Sequence, residues 1–242
     1  MSLVEILREH ERIWRERPFV RQLYHEWFVL IRDRLARVDG PTVELGGGLG
    51  TLRDVVPEVV VTDVEPTPWA SEVVDAERLP YGNGTVANLV LFDVFHHLPH
   101  PSRFLGEAVR ALRPGGRVVL IEPYCSPVST FAYRHFHHEP VDLTVDPFAE
   151  SAQSTEDAMD SNSALPTLAF FRRRDELERR WPQLRVVEAR RLSFVAYPLS
   201  GGFSRPPLVP RVAWPLLRLL ERLLPPLAPL AAFRCFVVLE RR

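Results

Sequence analysis

Apolar residues recur every three or four positions through the first forty residues: Leu3, Ile6, Leu7, Ile13 and Trp14, then Val20, Leu23, Tyr24, Trp27, Ile31 and Leu35. That period predicts two amphipathic helices, separated at Pro18 and closed by Asp39-Gly40-Pro41. From Thr42 the pattern changes to short apolar runs alternating with helical segments. Strands are predicted at Thr42–Leu45, Val59–Asp63, Glu72–Asp75, Asn88–Phe92 and Arg117–Glu122, with a short helix over Leu49–Val56 and a longer one over Pro101–Leu112. The Asn88–Phe92 run is almost wholly apolar, as befits a parallel strand covered on both faces. The alternation predicts an α/β domain with a parallel sheet and crossover helices.

Beyond residue 123 the pattern loosens. Residues 139–166 carry Glu139, Asp142, Asp146, Glu150, Glu156, Asp157 and Asp160 with no basic residue, and are read as a loop. A helix is expected over Arg174–Trp181 and strands over Arg185–Ala196 and Phe233–Glu240. Between those strands, 207–231 is rich in Leu, Pro and Ala. Arg211, Arg218, Glu221 and Arg222 interrupt it, and Pro215, Pro225, Pro226 and Pro229 would break a membrane-spanning helix. The segment leaves open recognition of a lipidic substrate, contact with a membrane surface or pairing of two subunits. A helical hairpin covering the sheet edge is its plainest reading.

Composition narrows the field modestly. A chain of 242 residues that is 46% hydrophobic can bury one large core, so a single domain is expected over 1–242. Within it we expect a helical cap (1–40), a cofactor-binding core (41–123), an acceptor-recognition segment (124–184) and C-terminal strands (185–242) with a helical insertion at 203–232. The net charge of −1 argues against a nucleic-acid partner, and all the basic residues are Arg. Cys125 and Cys235 make no metal or redox spacing. The charged start from Met1 to Trp14 lacks the apolar stretch of a secretory signal, so a cytoplasmic location is expected.

The chemistry concentrates in Glu44-Leu-Gly-Gly-Gly-Leu-Gly50, where the first strand runs into glycines at 46, 48 and 50. Glycine permits positive φ and lets a ligand touch backbone. The expected helix after it would direct its amides at an anionic group. Asp63 ends the second strand beside this loop, where a carboxylate can accept ribose hydroxyl protons, and Asp75 ends the third. An acid after a strand is also an ordinary turn residue. The glycine loop alone does not separate a methyl donor from a dinucleotide, although Thr51 stands where a dinucleotide fingerprint has its third glycine.

Four further motifs follow in order: Val61-Thr-Asp-Val-Glu-Pro66, Asp75-Ala-Glu-Arg-Leu-Pro80, Phe92-Asp-Val-Phe-His-His-Leu-Pro99 and Leu112-Arg-Pro-Gly-Gly-Arg-Val-Val-Leu-Ile-Glu-Pro123. Together with the glycine run they resemble the class I S-adenosylmethionine-dependent methyltransferases, in particular their small-molecule branch. The resemblance covers about residues 41–123, and Arg174–Ala189 more loosely. It implies a Rossmann-like seven-stranded sheet with helices on both faces and an antiparallel last strand, and S-adenosylmethionine as cofactor. By position it implies that Glu44, Gly46, Gly48 and Gly50 meet the methionine part, Asp63 with Val64 the ribose, and Asp75 with Ala76 the adenine. Phe92, Asp93 and His97 would lie near the reacting methyl. Two positions depart from the family pattern: Gly47 where Cys is common, and Asn88 where Asp is usual.

Methyl transfer from a sulfonium is an in-line displacement needing alignment, a dry pocket and, for an alcohol, a base. Imidazole suits that task near neutral pH. His96, His97 and His100 follow the fourth strand; His135, His137, His138 and Glu139 follow the fifth. His97, His135 and His137 are the candidate catalytic residues. Each group also has a plain reading, as caps and packing for the first and a polar surface helix for the second, and no metal is expected because the spacing matches no standard ligand set. Glu122 and Tyr124 could bound an acceptor pocket, while Tyr24 and Trp27 suit either a cover over the cofactor or core packing. Arg172-Arg173-Arg174 reads as a solvated charge run.

The expected activity is methylation of a small, oligosaccharide or lipid-linked metabolite, with a hydroxyl oxygen preferred on the histidines alone. A carbon methyltransferase of the quinone-pathway type is the nearest alternative. A nicotinamide-dependent oxidoreductase and a noncatalytic cofactor-binding scaffold are the others.

Overall fold

The computed structural model describes residues 2–136, 139–150 and 161–242. Strands β1 (Thr42–Leu45), β2 (Val60–Asp63), β3 (Glu72–Val73), β4 (Val86–Phe92), β5 (Leu112–Pro123), β6 (Leu184–Leu192) and β7 (Arg234–Arg241) make one sheet in the order β3-β2-β1-β4-β5-β7-β6. The first five run parallel, and β7 lies antiparallel between β5 and β6. The strand order reverses between β1 and β4. A crevice at the carboxyl ends of those two strands is where open α/β sheets bind ligands.

Alternation along β4 shows why helices cover both faces. Leu89 and Leu91 pack with Phe104, Leu105 and Ala108 of α3 (Pro101–Ala111), whereas Val90 joins Val20, Tyr24, Phe28 and Ile31 of α2 (Pro18–Arg32) on the other face. Both halves of the strand's surface are therefore removed from water, and side-chain period alone decides which residue goes where. Asn88 is buried at the start of β4 and uses both ends of its amide. Its Oδ1 accepts from Ala36 N at 2.7 Å and its Nδ2 donates to Thr42 Oγ1 at 3.1 Å. A carboxylate there would lack the donor, which accounts for Asn at a position where Asp is usual.

At the N-terminus α1 (Leu3–Glu16) starts in a capping box, Ser2 and Glu5 exchanging side-chain-to-backbone bonds. Pro18 is the first residue of α2, where its missing N–H costs nothing. That helix ends at Arg32, earlier than the sequence pattern suggests.

The helix expected over Leu49–Val56 is instead a single 3-10 turn, Thr51–Asp54. Only six residues separate Gly50 from Pro57, and a residue before proline resists helical geometry. The expected array of helix N-terminal amides aimed at the loop is absent for that reason. The gap expected between the helix ending at Leu112 and the strand starting at Arg117 is also absent, since β5 begins directly at Leu112 and absorbs Pro114, Gly115 and Gly116 in a register shift against β4.

After β5 come α4 (Pro127–Phe136), the single turn α5 (Leu165–Thr167) continued by a π turn at Leu168–Arg172, and α6 (Arg174–Arg180). The described parts of the acidic stretch, 139–150 and 161–164, hold no helix or strand; Ser161, Asn162 and Ser163 are nevertheless buried. Between β6 and β7 the chain forms α7 (Ala196–Ser200), α8 (Trp214–Leu223) and α9 (Ala228–Ala231). Trp214 and Leu217 of α8 pack with Leu23 of α2 and Ala196 of α7, so this insertion is anchored on the N-terminal helices.

A candidate cofactor and acceptor site

The glycine run leaves β1 through backbone that only glycine adopts without strain. Gly46, Gly48 and Gly50 have φ of +61°, +53° and +65°. A Cβ on Gly46 would lie 2.6 Å from Val94 Cγ2, and one on Gly47 would lie 2.5 Å from Val61 Cγ1 and 2.9 Å from Glu44 Oε2. The glycine at 47 is thus a packing requirement of this chain. Gly47 N donates to Thr62 O at 2.8 Å, which ties the loop to β2.

Two carboxylates sit under and beside the loop. Glu44 is buried in β1, and its Oε2 has no hydrogen-bond partner among the described residues. Burial pushes its pKa up to about 8, with Arg53 opposing and Asp63 reinforcing the shift. Asp63 ends β2. Its Oδ2 accepts from Gly48 N at 3.2 Å and its Oδ1 from Val64 N at 2.9 Å. Burial raises the Asp63 pKa while those amides pull it down. Asp75 lies farther along the same edge, exposed, with Oδ1 accepting from Glu77 N at 2.8 Å; Ala76 beside it is buried.

The end of β4 forms the other wall. Asp93 takes φ +57°, a strained conformation for a non-glycine residue. Its Oδ1 lies 2.6 Å from Nη2 of Arg234, the first residue of β7, which is only 3% exposed. The guanidinium lies 5.1–5.3 Å from the ring centroids of Trp27, Phe92 and Tyr197. Tyr24 stacks on Phe92 at 4.8 Å, and Phe203 meets Tyr24 edge-on. The buried guanidinium of this ion pair is thereby surrounded by aromatic faces, which favour a cation electrostatically. Tyr24 and Trp27 serve as core and as wall at once.

His96 follows on the next turn, also buried. Its Nδ1 is 2.7 Å from Glu122 Oε2 and its Nε2 is 3.4 Å from Glu139 Oε2. The other oxygen of Glu122 accepts from Val94 N and Phe95 N at 2.9 and 2.7 Å. Burial disfavours a charged ring, yet the two carboxylates prevail and hold the His96 pKa up at about 10. Among the described residues His96, His97 and Glu139 form one group of metal-ligand type, and Asp93, His96 and Glu122 another. Held between Glu122 and Glu139, His96 makes the arrangement an ion clamp. It joins the end of β4, the end of β5 and the segment beginning at Glu139.

His97 is half-buried, its ring centroid 4.2 Å from that of His96. His135 is exposed on α4, its Nδ1 2.8 Å from Phe131 O and its ring stacked on Phe131. His137 and His138 lie outside the described residues. His100 is buried at the start of α3 with Nδ1 2.5 Å from Glu150 O, a packing and capping position. Tyr124 Oη accepts from Arg191 Nε at 2.7 Å. Of the expected run Arg172-Arg173-Arg174, Arg173 pairs with Asp146 and Arg174 with Glu178.

Residues 44–120 match the family model described as a methyltransferase domain. A solved structure from Thermotoga maritima, titled as an S-adenosylmethionine-dependent methyltransferase and possible histamine N-methyltransferase, superposes with a TM-score of 0.55 at 14% identity, covering 98% of this chain and 97% of that one. Geranyl diphosphate C-methyltransferase from Streptomyces coelicolor A3(2), solved with S-adenosyl-L-homocysteine, superposes with a TM-score of 0.53 at 14% identity over 91% of this chain and 77% of that one. Residues 44–120 thus match a methyltransferase domain, and the chain around them has the fold of S-adenosylmethionine-dependent methyltransferases. A curated relative, phthiotriol/phenolphthiotriol dimycocerosates methyltransferase of Mycobacterium leprae, is 46% identical over 44 residues, which span 18% of this chain and 16% of that protein.

The residues present fit S-adenosylmethionine, the cofactor of the methyltransferases whose fold this chain shares. Glu44 offers a buried oxygen with no hydrogen-bond partner among the described residues, suited to a cationic ligand group, and Asp63 offers a carboxylate at the edge of the glycine loop. Three parts of the site escaped the sequence reading: Arg234, Tyr197 and the clamping role of Glu122. One signal was available, because an Arg inside the apolar run Phe233–Leu239 must find a buried partner. Nothing in sequence spacing pointed to Asp93 as that partner.

Proposed function

We propose that the protein transfers a methyl group from S-adenosylmethionine to a hydroxyl oxygen of a small, largely apolar or lipid-linked metabolite. The observation that carries this reading is the aromatic wall of Tyr24, Trp27, Phe92 and Tyr197 at Asp93, with half-buried His97 on the neighbouring turn. Such a wall takes a flat or hydrocarbon acceptor and excludes water. The names of similar proteins are compatible with an apolar or lipid-linked acceptor: the mycobacterial relative is named for a triol, and the Streptomyces protein for methylation of geranyl diphosphate at carbon.

Bound S-adenosylmethionine supplies a methyl group made electrophilic by its sulfonium. Glu44 and Gly46, Gly48 and Gly50 hold the methionine part, Glu44 ionising as a cation approaches. Asp63, with Val64 beside it, accepts the ribose hydroxyls, and Asp75 with Ala76 meets the adenine. Phe92 and Asp93 border the transferring methyl. His97 takes the acceptor's hydroxyl proton on an imidazole nitrogen, and the ion clamp at His96 keeps the turn carrying it in place. His135 and His137 are the alternative bases, on the segment that would close over the acceptor.

A second reading has its own support. The wall already accommodates the guanidinium of Arg234 at 5.3 Å from two ring centroids, so it would also stabilise a carbon acceptor that becomes cationic on methylation. The test is incubation of isotope-labelled donor with alcohol and alkene acceptors, with the product bond read by mass spectrometry. An ether product, lost about 100-fold or more in His97→Gln with S-adenosylhomocysteine affinity unchanged, supports the first reading. A new carbon–carbon bond formed equally well by His97→Gln supports the second.

A further inference from the structure

Most of the large hydrophobic side chains that this protein exposes are gathered on one side. Val64, Val73 and Val187 apart, every such residue described lies in 128–136 or 208–230. On α8 and the turn before it, Val212, Leu216, Leu219 and Leu223 are 87%, 57%, 52% and 63% exposed. Their spacing of four, three and four residues makes a single stripe. The opposite face of the same helix, with Trp214 and Leu217, is the one buried against α2 and α7. The helix is therefore apolar twice over, and only one side is used by the fold.

The surface continues beyond α8. Leu227 and Leu230 are exposed at α9, which packs against α4, and α4 presents Val128, Phe131 and Phe136 outward at 49%, 60% and 56%. Among the described residues of α4, α8, α9 and the turn before α8, the outward charges on this face are arginines. Arg211 and Arg222 are exposed and lie on the helix between the buried face and the outer stripe, and exposed Arg134 stands on α4. Glu221 is the single acid between residues 203 and 232, and it is turned inward. Its carboxylate accepts from Phe194 N, Val195 N and Ala196 N at 2.8, 3.0 and 3.1 Å, capping α7. Arg218 is neutralised by Glu26.

We propose that this face docks the protein onto an anionic lipid bilayer, with α8 lying in the plane of the interface. An outer Leu stripe, rings at its margin and arginines at the level of the headgroups are what an interfacial helix requires. A second copy of the chain would bury the leucines equally well but would bring the arginines of two copies together, with Glu221 turned inward and Glu26 already paired with Arg218. Among the described residues no helix is long and apolar enough to cross a membrane, so the contact is peripheral. Docking here brings α4, which leads away from the end of β5, to the bilayer surface. It is a property of the surface and holds whichever acceptor is methylated.

The test is co-sedimentation of the intact protein with vesicles of equal parts phosphatidylglycerol and phosphatidylcholine, and with pure phosphatidylcholine vesicles. Three variants are compared: Leu219→Ser/Leu223→Ser, Arg211→Glu/Arg222→Glu and, as a control away from the face, Val187→Ser. Circular dichroism melting shows that each is folded. Binding to the anionic vesicles that falls on the order of tenfold or more in the first two variants, and not in the control, is the expected result. Absence of vesicle binding by the wild type overturns the proposal, as does equal binding by all variants. So does a dimer in sedimentation velocity that the leucine variant dissolves while vesicles are ignored; that outcome assigns the face to a second copy.

Discussion

His96 Nδ1 and Glu122 Oε2 stand 2.7 Å apart in the interior of the protein, the ring 2% and the carboxylate 0% exposed. Neither belongs to the glycine loop, yet together they fasten the turn after β4 to the end of β5. Because Glu122 also accepts two backbone amides, the carboxylate is oriented before the imidazole arrives. The pair is costly to bury and costly to break.

This yields a pH-dependent stability. The His96 pKa in the folded state, about 10, lies above its ordinary value of 6.5. Its contribution is therefore fully present below about pH 6.5 and is lost as pH rises through about 10. Urea unfolding across that window should show stability falling with pH. Glu122→Gln should flatten the fall and lower stability at pH 7 by about 3 kcal/mol. An unchanged slope in that variant would show that the clamp is not the titrating element.

Glu44 titrates in a lower window. Burial raises its pKa from 4.5 to about 8, so its contribution is present below about pH 4.5 and lost as pH rises through about 8. Glu44→Gln should therefore raise the melting temperature at pH 8 to 9. The same substitution removes a charged acceptor from the cofactor loop, and S-adenosylhomocysteine should bind about 10- to 100-fold more weakly by calorimetry. A variant that is stabilised yet binds normally would remove Glu44 from the methionine site.

The Asp93–Arg234 pair can be resolved by a cycle. Arg234→Met leaves Asp93, 29% exposed, without its cation and should cost about 1–3 kcal/mol. Asp93→Asn/Arg234→Met should recover much of that loss, since both charges are gone. Equal instability of the single and double variants in denaturant melts would mean that packing of the Arg side chain, not its charge, holds the aromatic wall together.

How far the site was legible differs residue by residue. Glu44, the glycines and Asp63 could be found because local sequence decides them: a strand must end, its turn needs positive φ, and the next strand must end beside it. The short helix expected after the loop gives way to a 3-10 turn because helical period over seven or eight residues does not reveal that Pro57 leaves too little chain for an α-helix. Spacing along the chain does not sort the histidines. Whether a histidine is clamped, half-buried or exposed depends on what faces it, and for His96 those partners lie 26 and 43 positions away.

By itself the sequence determined the order of strands and helices, the buried faces and the loop chemistry, because these follow from side-chain period and backbone preference within a few residues. The tertiary structure alone decided that Arg234 meets Asp93 inside an aromatic cage, that His96 is locked between Glu122 and Glu139, and that α8 keeps one apolar face to itself. Each is a matter of which distant surfaces come together, and that is set by strand order in the sheet. A β7 inserted between β5 and β6 carries Arg234 to the end of β4, a placement that no spacing along the chain records.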